Sequence, residues 1–279
     1  MLRHRCVFIL FAIFFAILYG NLNAVSFSVE PSKISASYKT KSFKLPEIKV
    51  TNTNTEPIEI VVRSAPLGQD STGSAIEGDS RYRFAIDRFI KIKPEDAKAV
   101  IPVGESFSFV PTVEIPDEYE EPNGFALIEV ECVTKSAKIK AGTSGVLTTG
   151  TIGILVLLDF PQYRKNYGCQ IRGVDMIKTG ENEFKFVTSI ENKGNYMQEF
   201  GGSVVVTDKN GNQIAKLLLK PRSILPGYYV NLYSTWTPED VLNDEIYVEY
   251  EAGAKGLTPN KFLQGYKVNS NGKIMRLNK

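Results

Sequence analysis

The side chains that carry most enzyme and metal chemistry are scarce in this chain of 279 residues. Histidine occurs once, as His4, close to the start. A body without histidine excludes His-based acid–base catalysis, the Ser-His-Asp and Cys-His nucleophile systems, and His metal ligation. Carboxylate-pair hydrolysis, Ser-Lys chemistry and all-oxygen calcium sites remain open.

Carboxylates cluster in one short segment, residues 117–121, which reads DEYEE. Clustered carboxylate oxygens are the ligands that Ca²⁺ prefers. The spacing matches no known calcium loop, so we interpret the segment as a solvated acidic turn. No pair of acids has a context that suggests glycoside hydrolysis. We therefore predict a protein that is not an enzyme, with no catalytic residue, no cofactor and no metal site.

Basic and aromatic side chains are interleaved between Arg81 and Lys93, a pattern that can mark a nucleic-acid platform. The chain as a whole is nearly neutral, with 33 basic and 31 acidic residues. We therefore interpret this segment as a strand with one solvated face, and we expect no nucleic-acid partner.

Trp236 is the single tryptophan. It is predicted to cap the core of a β-sandwich, and a sugar-stacking role is the alternative.

The first residues have the pattern of a secretory signal peptide. Two arginines precede an apolar run, Cys6–Tyr19, which is followed by polar residues and by Ala24. The run is shorter than the roughly 20 residues that cross a bilayer. We predict a signal peptide over 1–24, with Gly20 as a second possible cleavage point and an uncleaved anchor as the competing interpretation. The chain is then exported to the periplasm or cell surface, with no membrane span after cleavage.

Two cysteines, Cys132 and Cys169, follow the predicted signal peptide. Oxidation is permitted in an exported chain, so they could form a disulfide. They could equally be two buried thiols in separate places, because free cysteine packs as a small hydrophobe. The sequence leaves both possibilities open.

The body of the chain has the pattern of an all-β protein. Short runs rich in Val, Ile, Phe, Tyr and Thr are separated by Gly, Pro, Asn and Asp, which is typical of β-sandwiches. The runs form two series, separated by a polar stretch with Pro and Gly. This predicts a first sandwich over 25–160, a linker over 161–168 and a second sandwich over 169–252.

The last segment, 253–279, contains six basic residues and no acid. We predict a basic C-terminal tail that is a solvated extension or an added edge hairpin. Binding of an anionic polymer or a membrane surface is the alternative.

Several segments resemble the periplasmic pilus-chaperone (PapD-like) family. Val29–Ile34 (VEPSKI) is similar to the first strand of that family, and Phe43–Arg63 is similar to its second strand, Asn-rich turn and third strand. Thr151–Pro161 (TIGILVLLDFP) lies where the last strand of the first domain is found. The resemblance implies two immunoglobulin-like β-sandwich domains and a chaperone-like factor that assembles pilus or surface subunits.

In that family the last strand of domain one adds to an incomplete Ig-like fold of a subunit. The resemblance therefore implies partner-binding roles for alternating apolar residues of this strand, and the partner is a protein subunit with an incomplete Ig-like fold, or a second copy of the chain. The residues are Ile152, Ile154, Val156 and Leu158. Leu155 and Leu157 fill the other face, so a strand buried on both sides, without any partner, is the alternative.

The family also holds the terminal carboxylate of a subunit with two basic residues. Lys33 matches the first of them, but the second falls at about Ile154, which is not basic. One ammonium does not reproduce a two-point carboxylate clamp. The competing hypothesis for function is a structural component of the cell surface or envelope, without chaperone activity.

Overall fold

The structure is a computed structural model, and it describes residues 26–134, 149–269 and 272–277. Within these ranges the chain is built from β-strands, with one short 3-10 helix at Asp87–Phe89. The predicted signal peptide, 1–24, lies outside the described residues. No helix among the described residues is long and apolar enough to cross a membrane.

The first sandwich contains thirteen strands. They form a five-stranded sheet of order β2-β13-β12-β5-β9, two three-stranded sheets of order β1-β4-β10 and β3-β11-β8, and a small β6-β7 hairpin. The strands are β1 (Phe27–Glu30), β2 (Lys33–Ser37), β3 (Ser42–Lys44), β4 (Ile48–Asn52), β5 (Ile58–Ala65), β6 (Leu67–Gln69), β7 (Ala75–Glu77), β8 (Ile90–Lys91), β9 (Lys98–Ile101), β10 (Ser106–Phe109), β11 (Thr112–Glu114), β12 (Asn123–Thr134) and β13 (Thr149–Asp159).

The second sandwich pairs a three-stranded sheet of order β14-β15-β18 with a five-stranded sheet of order β17-β16-β19-β20-β21. Its strands are β14 (Cys169–Gly180), β15 (Glu183–Asn192), β16 (Gln198–Asp208), β17 (Gln213–Ile224), β18 (Tyr229–Trp236), β19 (Glu245–Ala254), β20 (Asn260–Val268) and β21 (Ile274–Arg276). The predicted fold class, all-β with two β-sandwich domains, is confirmed.

Alternating burial builds both cores. In β15 every second residue is buried, from Phe184 to Asn192, because successive side chains of a strand point to opposite faces. In each sandwich a buried asparagine also ties a turn to the core: Asn52 donates to the Ile101 carbonyl at 2.9 Å, and Asn192 donates to the Ile224 carbonyl at 2.9 Å. These bonds pair the buried side-chain amides of the two asparagines.

The single tryptophan packs against the second core. Trp236 lies within 6.1 Å of the ring of Phe184 and 6.2 Å of the ring of Phe186, measured between centroids. It is the last residue of β18, at the end of the three-stranded sheet. This position is that of a core cap.

The C-terminal segment is part of the second sandwich, so the boundary predicted at residue 252 is corrected. β19 ends at Ala254, β20 pairs with β19 along its length, and Tyr266 of β20 is fully buried. Two of the tail lysines neutralise acids of β19: Lys261 lies 3.0 Å from Glu249, and Lys267 lies 3.3 Å from Glu245. The basic charge of this segment is thus complementary to the strand beside it, and the segment is an edge hairpin.

The two cysteines are free thiols in separate sandwiches. Cys132 is fully buried in the core of the first sandwich, where burial raises the pKa of its thiol to about 11. The Cys169 thiol lies 3.8 Å from the Ala252 carbonyl in the second sandwich, and its pKa is also raised by burial. The possible disulfide between them is therefore not formed, because each thiol packs into its own domain.

A third apolar cluster joins the two sandwiches. Leu67 and Phe125 of the first sandwich pack there with Leu225 of the second. Around this cluster the Tyr82 hydroxyl donates to the Pro226 carbonyl at 2.8 Å, and the buried Asn123 side chain accepts from the Met197 amide at 2.8 Å. Buried apolar contact together with satisfied hydrogen bonds fixes how one sandwich sits on the other.

Candidate functional site

Strand β13 is paired along only half of one edge. On one side it pairs with β12 from Thr149 to Asp159. On the other side it pairs with β2, in parallel, only from Leu155 onward. Within the described ranges no strand pairs with that edge between Thr149 and Ile154. This stretch, which we call the open edge, is about 20 Å long at roughly 3.3 Å per residue.

The open edge exists because the chain changes sheets ahead of β2. β1 (Phe27–Glu30) pairs with β4 in the opposite layer, whereas β2 (Lys33–Ser37) joins β13. The segment that would otherwise continue along the edge therefore lies across the sandwich.

The backbone groups that face the open edge are those of the odd-numbered residues. The Leu155 amide donates to the Ser32 carbonyl at 3.2 Å, and the Asp159 carbonyl accepts from the Tyr38 amide at 2.9 Å, so odd residues point to this side. Because N–H and C=O directions alternate along a strand, Thr151 and Gly153 direct their polar groups away from β12. Unpaired backbone of this kind is a template for an added strand.

The predicted partner-binding side chains do not line this edge. Ile154 and Val156 are 0% exposed, and Leu158 is 1% exposed, all in the core of the first sandwich. Ile152 is partly buried and packs against the same core. In these four residues the strand directs its side chains inward.

The opposite face of β13 lies at the junction of the sandwiches. Leu155 and Leu157 are half-buried against the third apolar cluster. From Leu155 onward, β13 is therefore covered on both faces.

Lys33 lies at the downstream end of the open edge and lines a groove between the two sandwiches. The groove has a volume of about 380 Å³, and its apolar floor includes Leu155, Leu157 and Leu225. The second sandwich contributes Arg222 to the same groove. Lys33 and Arg222 are both exposed, and neither forms an ion pair with any residue that the structure describes. Two cationic groups from different domains thus line one cavity, together with one acid, Glu199 of β16.

The β6-β7 hairpin of the first sandwich forms a wall of this groove. Gln69 donates from its side-chain amide to the Ser223 carbonyl at 2.8 Å and accepts from the Leu225 amide at 3.1 Å. At the tip of the hairpin, the Ser71 carbonyl accepts from the Asn231 amide at 2.8 Å. These contacts hold the hairpin, and with it the groove, against the second sandwich.

The solvent face beside the open edge carries acidic side chains of β12. Glu131 lies opposite Thr151, and Glu129 lies opposite Gly153. Arg63 on β5 contacts Glu129 and is 3.2 Å from Glu77. Hydrogen bonds from this guanidinium lower the pKa of Glu77. The arginine thus contacts two acids, and Glu131 interacts with it only at longer range, without an ion pair to a described residue.

The acidic segment 117–121 is held by ion pairs. Asp117 is 96% exposed at its side chain and lies 3.3 Å from Lys41, and Glu121 contacts Arg83. Among the described residues no group of three or more His, Cys, Asp or Glu side chains is placed to hold a metal ion.

Comparison with known proteins finds likeness in structure. No family model matches the chain, and no curated protein matches it. Among solved structures, a chaperone–tip adhesin complex of CFA/I fimbriae is similar at a TM-score of 0.41 and 16% identity, over 88% of this chain and 99% of that chain. The Salmonella enterica SafB chaperone, solved with the SafA pilin, is similar at a TM-score of 0.39 and 11% identity, over 87% of this chain and 97% of that chain. The E. coli chaperone DraB is similar at a TM-score of 0.38 and 12% identity, over 86% of this chain and 96% of that chain.

These solved proteins are fimbrial chaperones, the class of protein that the sequence resembles. At these identities and TM-scores the likeness assigns no partner and no residue role to this chain.

Sequence reasoning missed Arg222. It lies in the second sandwich, on β17, far along the chain from Lys33. No local pattern marks it, because its relevance arises only from the docking of one sandwich on the other.

Proposed function

We propose that this protein is an exported, non-enzymatic, chaperone-like assembly factor that binds an extended segment of a pilus or surface subunit by strand addition at the open edge of β13. The observation that carries the proposal is that, within the described residues, no strand pairs with the β13 edge from Thr149 to Ile154, whereas the other edge of β13 pairs with β12 throughout. Strand addition takes its affinity from main-chain hydrogen bonds, which this edge can supply.

The burial of Ile154 and its neighbours changes how the partner would be held. With these side chains in the core, the contribution of β13 to binding is its outward backbone at Thr151 and Gly153. Side chains that contact the partner then come from the solvent face of the sheet and from the groove.

The groove sets the direction of the added strand. A partner segment on the open edge lies end to end with β2, ahead of Lys33, because both occupy the same side of β13. If the segment runs parallel to β13, its C-terminal end points to Lys33. If it runs antiparallel, its N-terminal end does. Lys33 and Arg222 outnumber the one acid of the groove, Glu199, and therefore favour a carboxylate over an ammonium group. We infer a parallel strand that ends in the groove.

The test is affinity capture from native envelope extract with the full chain, expressed with its own N-terminal segment and a C-terminal tag. Thr151→Pro removes one outward N–H and leaves the β12 ladder intact, because that N–H points away from β12. Thr151→Val keeps the amide and the side-chain shape and is the matched control.

We expect the wild type and Thr151→Val to capture the same stoichiometric small subunit. Thr151→Pro should lose about 1–2 kcal/mol of binding free energy, roughly tenfold in affinity. Lys33→Met, which keeps the apolar stem, should also weaken capture. Equal capture by the proline variant, or recovery of only the chain itself, would favour a structural envelope component instead.

A further inference from the structure

Glu131 occupies a position from which it can contact a strand added at the open edge. It lies on β12 directly opposite Thr151 of β13, and directly opposite residues direct their side chains to the same face. A residue of an added strand that lies opposite Thr151 projects onto that same solvent face. Three side chains then form one row across three strands.

The space between Glu131 and such a partner residue is open. Thr151 is small and exposed, and the next outward position on β13 is Gly153, which has no side chain. Two strand spacings separate the partner residue from Glu131 by about 10 Å. A lysine or arginine together with the glutamate side chain spans this distance, whereas short side chains do not.

The charge of Glu131 is only weakly engaged: the nearby Arg63 interacts with it at longer range, without the close contact of an ion pair. Its neighbour Glu129 is already bound by Arg63, which also binds Glu77. Glu131 is exposed, and within the described part of the chain it makes no ion pair. The open edge itself adds no charge, because Thr149, Thr151 and Gly153 are neutral.

We propose that Glu131 is a specificity-determining residue that selects a partner strand with a lysine or arginine on its solvent face, opposite Thr151. This inference rests on the proposed strand addition. Together with Lys33 and Arg222 it defines a partner segment of two parts: a basic side chain along the open edge, followed by a free carboxyl end in the groove. Such a pattern of opposite charges fixes register and direction at once.

The experiment uses three eight-residue peptides, N-acetylated and with free carboxyl ends, in which valine alternates with lysine, threonine or glutamate. Their dissociation constants are measured with the full chain at low and high salt, for the wild type and for Glu131→Lys. Glu118→Lys is the matched control, because Glu118 is an exposed glutamate away from the edge and its substitution changes the net charge equally. Thr151→Pro tests whether the peptides bind at the edge.

For the wild type we expect the lysine peptide to bind about two- to tenfold more tightly than the glutamate peptide, as for a solvent-exposed ion pair, with the difference shrinking at high salt. Glu131→Lys should reverse the order, and Glu118→Lys should not. Equal binding of the three peptides, or an unchanged order in Glu131→Lys, would overturn the role of Glu131 alone. Binding of none of the peptides would overturn the proposed strand addition and this inference with it.

Discussion

Replacement of Ile154 by aspartate tests which face of β13 belongs to the core. Ile154 is 0% exposed and pairs with Ile128, which is also 0% exposed. If the side chain instead pointed to a partner, a carboxylate there would remain in water and the isolated protein would stay folded. The structure predicts the opposite.

The expected cost follows from two contributions. Truncation of a buried isoleucine costs about 2–5 kcal/mol, and burial of an unpaired carboxylate adds several kcal/mol more. The total stability of a domain is only about 5–15 kcal/mol. Ile154→Asp is therefore expected to unfold the first sandwich at neutral pH. Burial raises the pKa of such a carboxyl, so the penalty should shrink as the pH falls toward its unfolded value of about 3.9.

The assay exploits the position of the single tryptophan. Trp236 lies in the second sandwich and packs against Phe184 and Phe186, so its fluorescence reports that domain, whereas far-UV circular dichroism reports both. In Ile154→Asp we expect the dichroism to lose the signal of one sandwich while the fluorescence keeps a cooperative unfolding transition.

The matched control is Thr151→Asp, which places the same carboxylate on the exposed face of the same strand. This variant should unfold like the wild type in both signals. An Ile154→Asp protein with wild-type dichroism and an unchanged denaturant midpoint would refute the assignment of this face to the core.

Three further predictions concern the domain junction, the C-terminal hairpin and the thiols. Gln69→Ala removes two hydrogen bonds between the sandwiches and should destabilise their docking by about 1–2 kcal/mol, seen as separation of the dichroism and fluorescence transitions; coincident transitions would contradict it. A chain that ends at Ala254 lacks β20 and uncovers the core around Tyr250. The unfolding transition seen by Trp236 fluorescence should then be lost. If that transition survives, the hairpin is dispensable for the second sandwich. Iodoacetamide should leave Cys132 unmodified in the native protein and alkylate both Cys132 and Cys169 after denaturation without reductant; a disulfide would leave both unmodified.

The fold class was accessible from sequence because strand alternation is local. In β15 (Glu183–Asn192), for example, every second residue is buried. The C-terminal hairpin was less accessible. In β20 only Tyr266 and Val268 are buried, and Gly265, between Gln264 and Tyr266, interrupts the pattern. That strand is defined by its pairing with β19, which no single segment reveals.

Which face of β13 lies in the core could also not be predicted from the sequence, and the reason is different. Both of its faces are apolar, so alternation shows that two faces exist without showing which one lies in the core. The structure resolves this by placing the even-numbered residues inside the first sandwich and Leu155 and Leu157 against the second. The apolar odd-numbered face is explained by the domain junction.

The open edge of β13 and the positive charge of Lys33 at its end have one structural origin. The chain leaves the opposite sheet after β1 and joins β13 at Lys33, opposite Leu155. Among the described residues, this edge of β13 therefore has no partner strand before Leu155 and pairs with β2 from Leu155 onward. Lys33, the first residue of β2 and the one at which the open edge ends, therefore also lines the groove. Arg222 lines that groove next to Ser223, the residue on which Gln69 and its hairpin dock at the end of β17. A change at the junction should thus alter the carboxylate-binding end of the proposed site and leave the backbone edge intact, so the two parts can be separated by mutation.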